Sequence, residues 1–220
     1  MQTKYTITHP NADKFLRSIW AGIFIGIGAT ALMAIQVPIV GSLFFSIGLF
    51  TIINLQLSLY TGAIGFLGNR KEDMSPKDMT IIYIGNLIGT FLYGTCLKFS
   101  GLGITSANIL AKKADFIINL PVFPILFTAF MCGVLMYTGV VVWKVSDRQI
   151  MNCIITLLCV SVFILSGFEH CIADMVYLFA GACEAPIQNQ IAFLLLVTLG
   201  NSLGSIAFHR SLGCFRQRRT

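Results

Sequence analysis

The chain has 220 residues, of which 56% are hydrophobic and only 11% charged, with a mean hydropathy of +0.81. Soluble domains carry roughly a quarter charged residues, so an ordinary water-soluble domain is excluded. The formal charge of +6 invites a nucleic-acid partner, but the basic residues are distributed as a membrane would require.

Uncharged stretches cover residues 18–69, 79–97, 116–143, 149–168 and 185–209. A helix needs about 20 apolar residues to cross the hydrocarbon core. The first stretch holds two crossings punctuated at Pro38 and the others one each, which predicts six. Residues 1–14 form a short polar tail. Helix 1 is predicted over 15–37, with Gly22 and Gly26 at the spacing that lets another helix approach closely. Ala29-Thr30-Ala31 resembles a signal cleavage site, but the apolar run continues past it, so the helix is retained.

Helix 2 starts near Ile39. Continued to Leu67 it would exceed one crossing, and Asn54, Gln56, Thr61 and Gly62 mark where it breaks. A polar loop (69–78), helix 3 (79–98), a connection (100–120), helix 4 (121–143) and helix 5 (147–167) follow. GFEHCIADM (167–175) then precedes an apolar stub (176–181), helix 6 (188–212) and a basic tail (213–220). The expected fold is all-α and polytopic, one six-helix domain over 15–212 with halves at about 15–99 and 121–212.

With both termini in the cytoplasm, Lys4, Lys14, Arg17, Arg70, Lys71, Lys77, Lys144, Arg148, Arg210, Arg216, Arg218 and Arg219 fall inside. Only Lys98, Lys112 and Lys113 fall outside, which satisfies the positive-inside rule. Trp20 and Trp143 sit at predicted cytoplasmic helix ends, where interfacial aromatics belong. The seven cysteines show no paired spacing and read as packing residues. No Cys/His cluster has metal spacing, so neither metal nor cofactor is expected.

The second half echoes the first. GNLIG at 85–89 recurs as GNSLG at 200–204, and the interruption around Thr61 corresponds to the one around His170, at offsets of 115 and 109 residues. Three helices per half means opposite insertion, and paired interruptions in inverted repeats point to a permeation site near the midplane. Glu169, His170 and Asp174 are ionisable groups at that depth. Such groups are costly there and functional by default. Glu169 and Asp174 read as caps of the flanking half-helices. His170 reads as a pore residue, because a neutral imidazole both donates and accepts and titrates near physiological pH.

GFEHCIADM resembles the signature of the formate/nitrite transporter family, whose motif reads GFEH-x-[IV]-A-N-M. SLYTG (58–62) resembles that family's loop on the broken second helix, and the two GN-x-[IL]-G motifs match its third and sixth helices. The resemblance covers essentially the whole chain. It implies a homopentamer of aquaporin-like protomers in the bacterial inner membrane, each passing a small monovalent anion or its conjugate acid. It also implies His170 and Thr61 as the polar pair at the pore centre, Leu59 and Phe163 as the cytoplasmic constriction, and Tyr60 at the external one. Asn86 and Asn201 match the family's paired asparagines, with interhelical hydrogen bonding or solute contact as their roles.

Three features depart from the pattern. Asp174 stands where the motif usually has Asn. Cys132-Gly133 replaces the Cys-Asn of many formate and nitrite members and, with LYTG, is closer to the hydrosulfide branch. The external lysine that draws anions inward has no ungapped match, leaving Lys112 and Lys113 as candidates beside a role as plain solvated charges. In the implied mechanism, proton sharing with His170, directly or through Thr61 and water, lowers the desolvation cost of an anion at the apolar slit. Proton-coupled secondary transport of a weak acid stays open, since kinetics alone separate it from a channel. A neutral-solute channel would normally carry Asn-Pro-Ala turns, and none occurs; a membrane redox enzyme needs a haem or metal set that one intramembrane histidine does not supply.

Overall fold

The structure is a computed structural model that describes residues 10–68, 74–181 and 183–217, with side chains described through residue 212. Its described residues form nine α-helices: α1 (Pro10–Ala34), α2 (Pro38–Asn54), α3 (Tyr60–Ala63), α4 (Pro76–Phe99), α5 (Ala107–Asn119), α6 (Val122–Val145), α7 (Gln149–Leu165), α8 (Cys171–Ala180) and α9 (Ile187–Gln217). A 3₁₀ turn, Ile64–Phe66, continues α3. By length and composition α1, α4, α6 and the Ile187–Leu212 part of α9 can cross a membrane. The apolar helices α2 and α7 have 17 residues each, about 25 Å at 1.5 Å per residue.

The outside is apolar and much of the inside is polar. Ile191, Leu195, Leu199 and Leu203 run along the exposed face of α9, while Ser18, Thr90, Asn86, Asn201 and Ser205 are fully buried. That inversion suits a hydrocarbon solvent, where exposed apolar side chains cost nothing and backbone groups must be satisfied internally.

Two helix pairs form the frame, α1 with α4 and α6 with α9, and glycine sets how closely they approach. A Cβ on Gly89 would lie 2.1 Å from the Ile19 carbonyl oxygen, and one on Gly204 2.0 Å from that of Phe130. Backbone meets backbone at both crossings, as small residues allow.

The two interruptions have the same local geometry. At the end of α7 the Phe168 amide donates to the Phe163 carbonyl (2.9 Å) and the Gly167 amide to that of Ile164 (3.1 Å), with Gly167 at φ +67°. This is a Schellman turn, which closes a helix by satisfying its last carbonyls. At the end of α2 the Leu57 amide donates to Ile52 (2.8 Å) and the Gln56 amide to Ile53 (3.1 Å), with Gln56 at φ 53°. Each group in the first turn follows its counterpart in the second by 111 residues.

Boundaries differ from expectation in two places. Helix 1 begins at Pro10, inside the stretch read as tail. The third apolar helix begins at Pro76, because Ser75 and Asp78 form a capping box and Pro76 holds the first helical position. The predicted connection over 100–120 contains α5, an additional helix. Lys4, His9, Arg70, Lys71, Arg218 and Arg219 lie outside the described residues, as does the side chain of Arg216.

Candidate pore site

His170 is the residue immediately before α8, and its Nδ1 accepts the Ala173 amide at 3.1 Å. An accepting Nδ1 carries no proton, so Nε2 holds it in the neutral ring. Nε2 lies 2.8 Å from Thr61 Oγ1 on α3, and both residues are buried. His170 therefore donates to Thr61, which keeps its own hydroxyl proton for a further acceptor. The helix-capping role expected of Glu169 and Asp174 belongs to His170. The carboxylates engage elsewhere.

Both carboxylates face Lys113 of α5. Its ammonium donates to Glu169 Oε2 and lies 3.1 Å from Asp174 Oδ1. Burial opposes the Lys113 charge, but Asp174 and Glu169 outweigh it and raise the amine above its ordinary value. Lys113 is thus an ion-paired, half-buried group, whereas Lys112 is exposed. Asp174 Oδ2 is buried without a hydrogen-bond partner. All of these residues line one cavity of about 360 Å³, with walls that include Gln36 of the α1–α2 turn, Thr105 and Asn108 near the start of α5, Phe163, His170 and Tyr177.

Two asparagines hold the interruptions in place. Asn201 Nδ2 donates to the carbonyls of Ala129 and Glu169, both at 2.8 Å, and its Oδ1 accepts the Cys171 amide at 2.9 Å. Asn86 Nδ2 donates to Ser18 (2.7 Å) and Ser58 (2.9 Å), and its Oδ1 accepts the Tyr60 amide at 2.8 Å. Every group held by Asn201 lies 111 residues after one held by Asn86. All polar atoms of both amides are thereby committed to backbone.

The same register corrects the sequence alignment of the halves. The residue enclosed by each clamp is Leu59 in one and His170 in the other, so His170 corresponds to Leu59 and not to Thr61. Leu59 is 3% exposed and belongs to the same buried cluster as Phe163. Phe163 and Tyr60, the residues read as belonging to two constrictions, stand apart in the structure. Phe163 is close to the C-terminal end of α7, with its ring 5.6 Å from that of His170, and it lines the cavity beside α5. Tyr60 packs with Ile64, Met79 and Ile82 near the start of α4, its ring 5.0 Å from that of Tyr83 and its hydroxyl 2.9 Å from Ser202 Oγ. The turn at Gly167 separates Phe163, on α7, from His170, before α8.

Sequence reasoning missed Ser202 and the α5 ion pair. For Ser202 no signal was present. For Lys113 there was one: buried charges must be paired, and GFEHCIAD carries two acids with no lysine or arginine of its own.

The model of the formate/nitrite transporter family matches residues 2–213. The chain belongs to the formate/nitrite transporter family. Relatives in this family include "Formate channel FocA" of Haemophilus influenzae, 27% identical over 165 residues, 69% of this chain and 56% of that protein. "Formate channel FocA" of Escherichia coli strain K12 is 27% identical over 195 residues, 78% of this chain and 67% of that protein. The match thus spans little more than half of the first relative's length. Two solved structures share the fold at 22% identity: "FNT family ion channel", with a TM-score of 0.76 over 94% of this chain and 89% of that one, and "Pentameric formate channel with formate bound", 0.69 over 94% and 96%. As a member of this family the chain is a membrane transport protein and not an enzyme.

Proposed function

We propose that this chain forms a channel for small monovalent anions or their conjugate acids, of the formate, nitrite and hydrosulfide class, with one pore in each protomer of a homopentamer. Its six crossings are α1, α2 with α3, α4, α6, α7 with α8, and α9, in two inverted repeats with both termini in the cytoplasm of a bacterial inner membrane. The cavity beside α5 is then the external vestibule. Leu59 and Phe163 form the constriction between it and the pore centre, and Tyr60 borders the cytoplasmic one.

The observation that carries this reading is the buried Nε2–Oγ1 bond between His170 and Thr61 at 2.8 Å, where two helix starts meet beneath the cavity. Thr61 retains a hydroxyl proton to offer a passing anion, and His170 shares its Nε2 proton through Thr61. The names of the matched relatives favour formate within the class. Hydrophobic walls on either side make anion passage expensive and passage of the neutral acid cheap.

Stopped-flow uptake in proteoliposomes tests this, comparing formate, nitrite and hydrosulfide at two pH values for the wild type and His170→Asn. Wild-type flux of at least one of these solutes, with a pH response altered in the variant, is expected. Empty-vesicle rates for all three would refute the channel, and an unchanged pH response would remove the proton role of His170. Uptake that saturates with fixed proton stoichiometry would replace the channel by a proton-coupled carrier.

A further inference from the structure

The vestibule holds two buried carboxylates and one half-buried ammonium. Lys113 donates to Glu169 Oε2 and lies 3.1 Å from Asp174 Oδ1. Asp174 is 1% exposed and lines the cavity, and its Oδ2 has no partner. If both acids were ionised, the set would carry one uncompensated negative charge in a buried place, which is costly unless the charge is paired or neutralised. It would also repel any anion entering the cavity. A proton on Oδ2 removes both difficulties and turns an orphaned acceptor into a donor.

We propose that Asp174 carries a proton in the resting protein and hands it to a weak-acid anion arriving in the vestibule, so that the solute moves on toward His170 as its neutral acid. The proposal rests on the weak-acid pore argued above and adds the source of the proton. The titratable groups near Asp174 are Lys113 from α5, Glu169 and His170 from the segment before α8, Tyr177 and Cys171 on α8, and Cys132 on α6, with the exposed Lys112 lining the same cavity.

His170 is poorly placed for the first transfer. Its Nδ1 is occupied as an acceptor by the Ala173 amide, and its Nε2 proton is directed at Thr61. In the transfer the Oδ2–H bond of Asp174 breaks and an O–H bond forms on the anion, giving the neutral acid. Asp174 is left as a carboxylate beside Lys113, and water in the vestibule returns the proton from the open side. Nothing is oxidised or reduced.

Two measurements on the full chain in proteoliposomes test this. Infrared spectroscopy at neutral pH reads the carbonyl band of a protonated carboxyl. The band is expected in the wild type and in Glu169→Gln, and absent in Asp174→Asn. Formate uptake against external pH reads the function. The wild-type rate should be level where Asp174 holds its proton and fall by up to about tenfold per unit as the external pH is raised past its titration, as one titrating donor allows, while Asp174→Asn conducts without that alkaline fall and Asp174→Glu keeps it. Absence of the band from the wild type, its loss in Glu169→Gln instead, or a wild-type pH profile in Asp174→Asn would each overturn the assignment. Should Asp174→Asn fail to assemble, the band in the wild type and Glu169→Gln decides. If wild-type vesicles pass no weak acid, the channel reading fails, and the infrared band still reports separately whether Asp174 holds a proton.

Discussion

Replacing Asn201 by alanine tests whether the paired asparagines are clamps or solute contacts. The side chain is fully buried and makes three bonds to backbone, at 2.8, 2.8 and 2.9 Å. The Ala129 carbonyl sits inside α6 and keeps its helical partner. The Glu169 carbonyl precedes α8 and the Cys171 amide lies at its first residue, where no intrahelical acceptor exists, so neither has a substitute. Leaving a buried polar group unmade costs about 1–3 kcal/mol, which gives about 2–6 kcal/mol for two. Interhelical bonds in membranes tend to fall below such figures, since the unfolded chain also finds partners, so the lower end of the range, about 2–3 kcal/mol, is expected. For a chain of this length that lowers Tm by roughly 4–12 °C. Asn201→Asp should lose at least as much, because a carboxylate oxygen would replace Nδ2 opposite two carbonyls. A thiol-reactive dye can follow unfolding in detergent, since Cys132 and Cys171 are fully buried. An Asn201→Ala protein with wild-type Tm and altered solute preference would refute the clamp.

Two further predictions rest on the same frame. Gly204→Ala places a methyl 2.0 Å from a backbone carbonyl of α6, and forcing the helices apart should cost about 1–3 kcal/mol or more. Gly139→Ala, whose new methyl would meet nothing closer than 3.4 Å, should change stability by less than about 1 kcal/mol; equal Tm values for the two variants would contradict the close crossing. Lys113→Met leaves Glu169 and Asp174 buried without their cation and should destabilise by about 3–5 kcal/mol. Adding Glu169→Gln and Asp174→Asn should restore most of that loss, and a thermal melt showing no restoration would mean the lysine acts through packing alone.

Much of the fold was legible because membrane helices announce themselves by length and by missing charge. The break before α8 was legible for a related reason: GFEH places two ionisable groups where hydrocarbon tolerates none without a purpose. The helix ends were harder. Ser75-Pro76-Lys77-Asp78 contains a capping box that a hydropathy boundary at Met79 overlooks. The amphipathic α5 is hidden by its charges, Lys112, Lys113 and Asp115, which read as loop until their partners on another segment are known. That Phe163 and His170 belong to different segments depends on a turn at Gly167 that changes the chain's direction, and residue counting carries no information about direction.

The register of the halves explains why one polar centre arises from a near-symmetric frame. Both clamps bind the same set of backbone groups, and both preceding helices end in the same left-handed turn. The enclosed residue is apolar in the first half, Leu59, and basic in the second, His170. The remaining polar partner, Thr61, comes two residues after Leu59, one step into α3, where its hydroxyl reaches across to Nε2. The turns differ as well. Gly167 adopts a positive φ without penalty, whereas Gln56 holds φ 53° at a cost of about 1–2 kcal/mol. Its carbonyl, however, accepts from the Arg17 guanidinium at 3.3 Å, and Arg17 is in turn bonded to Asp13 at 2.6 Å. Beyond the asparagine clamp that each has, the first interruption is therefore held by the start of α1 and the second by its own glycine.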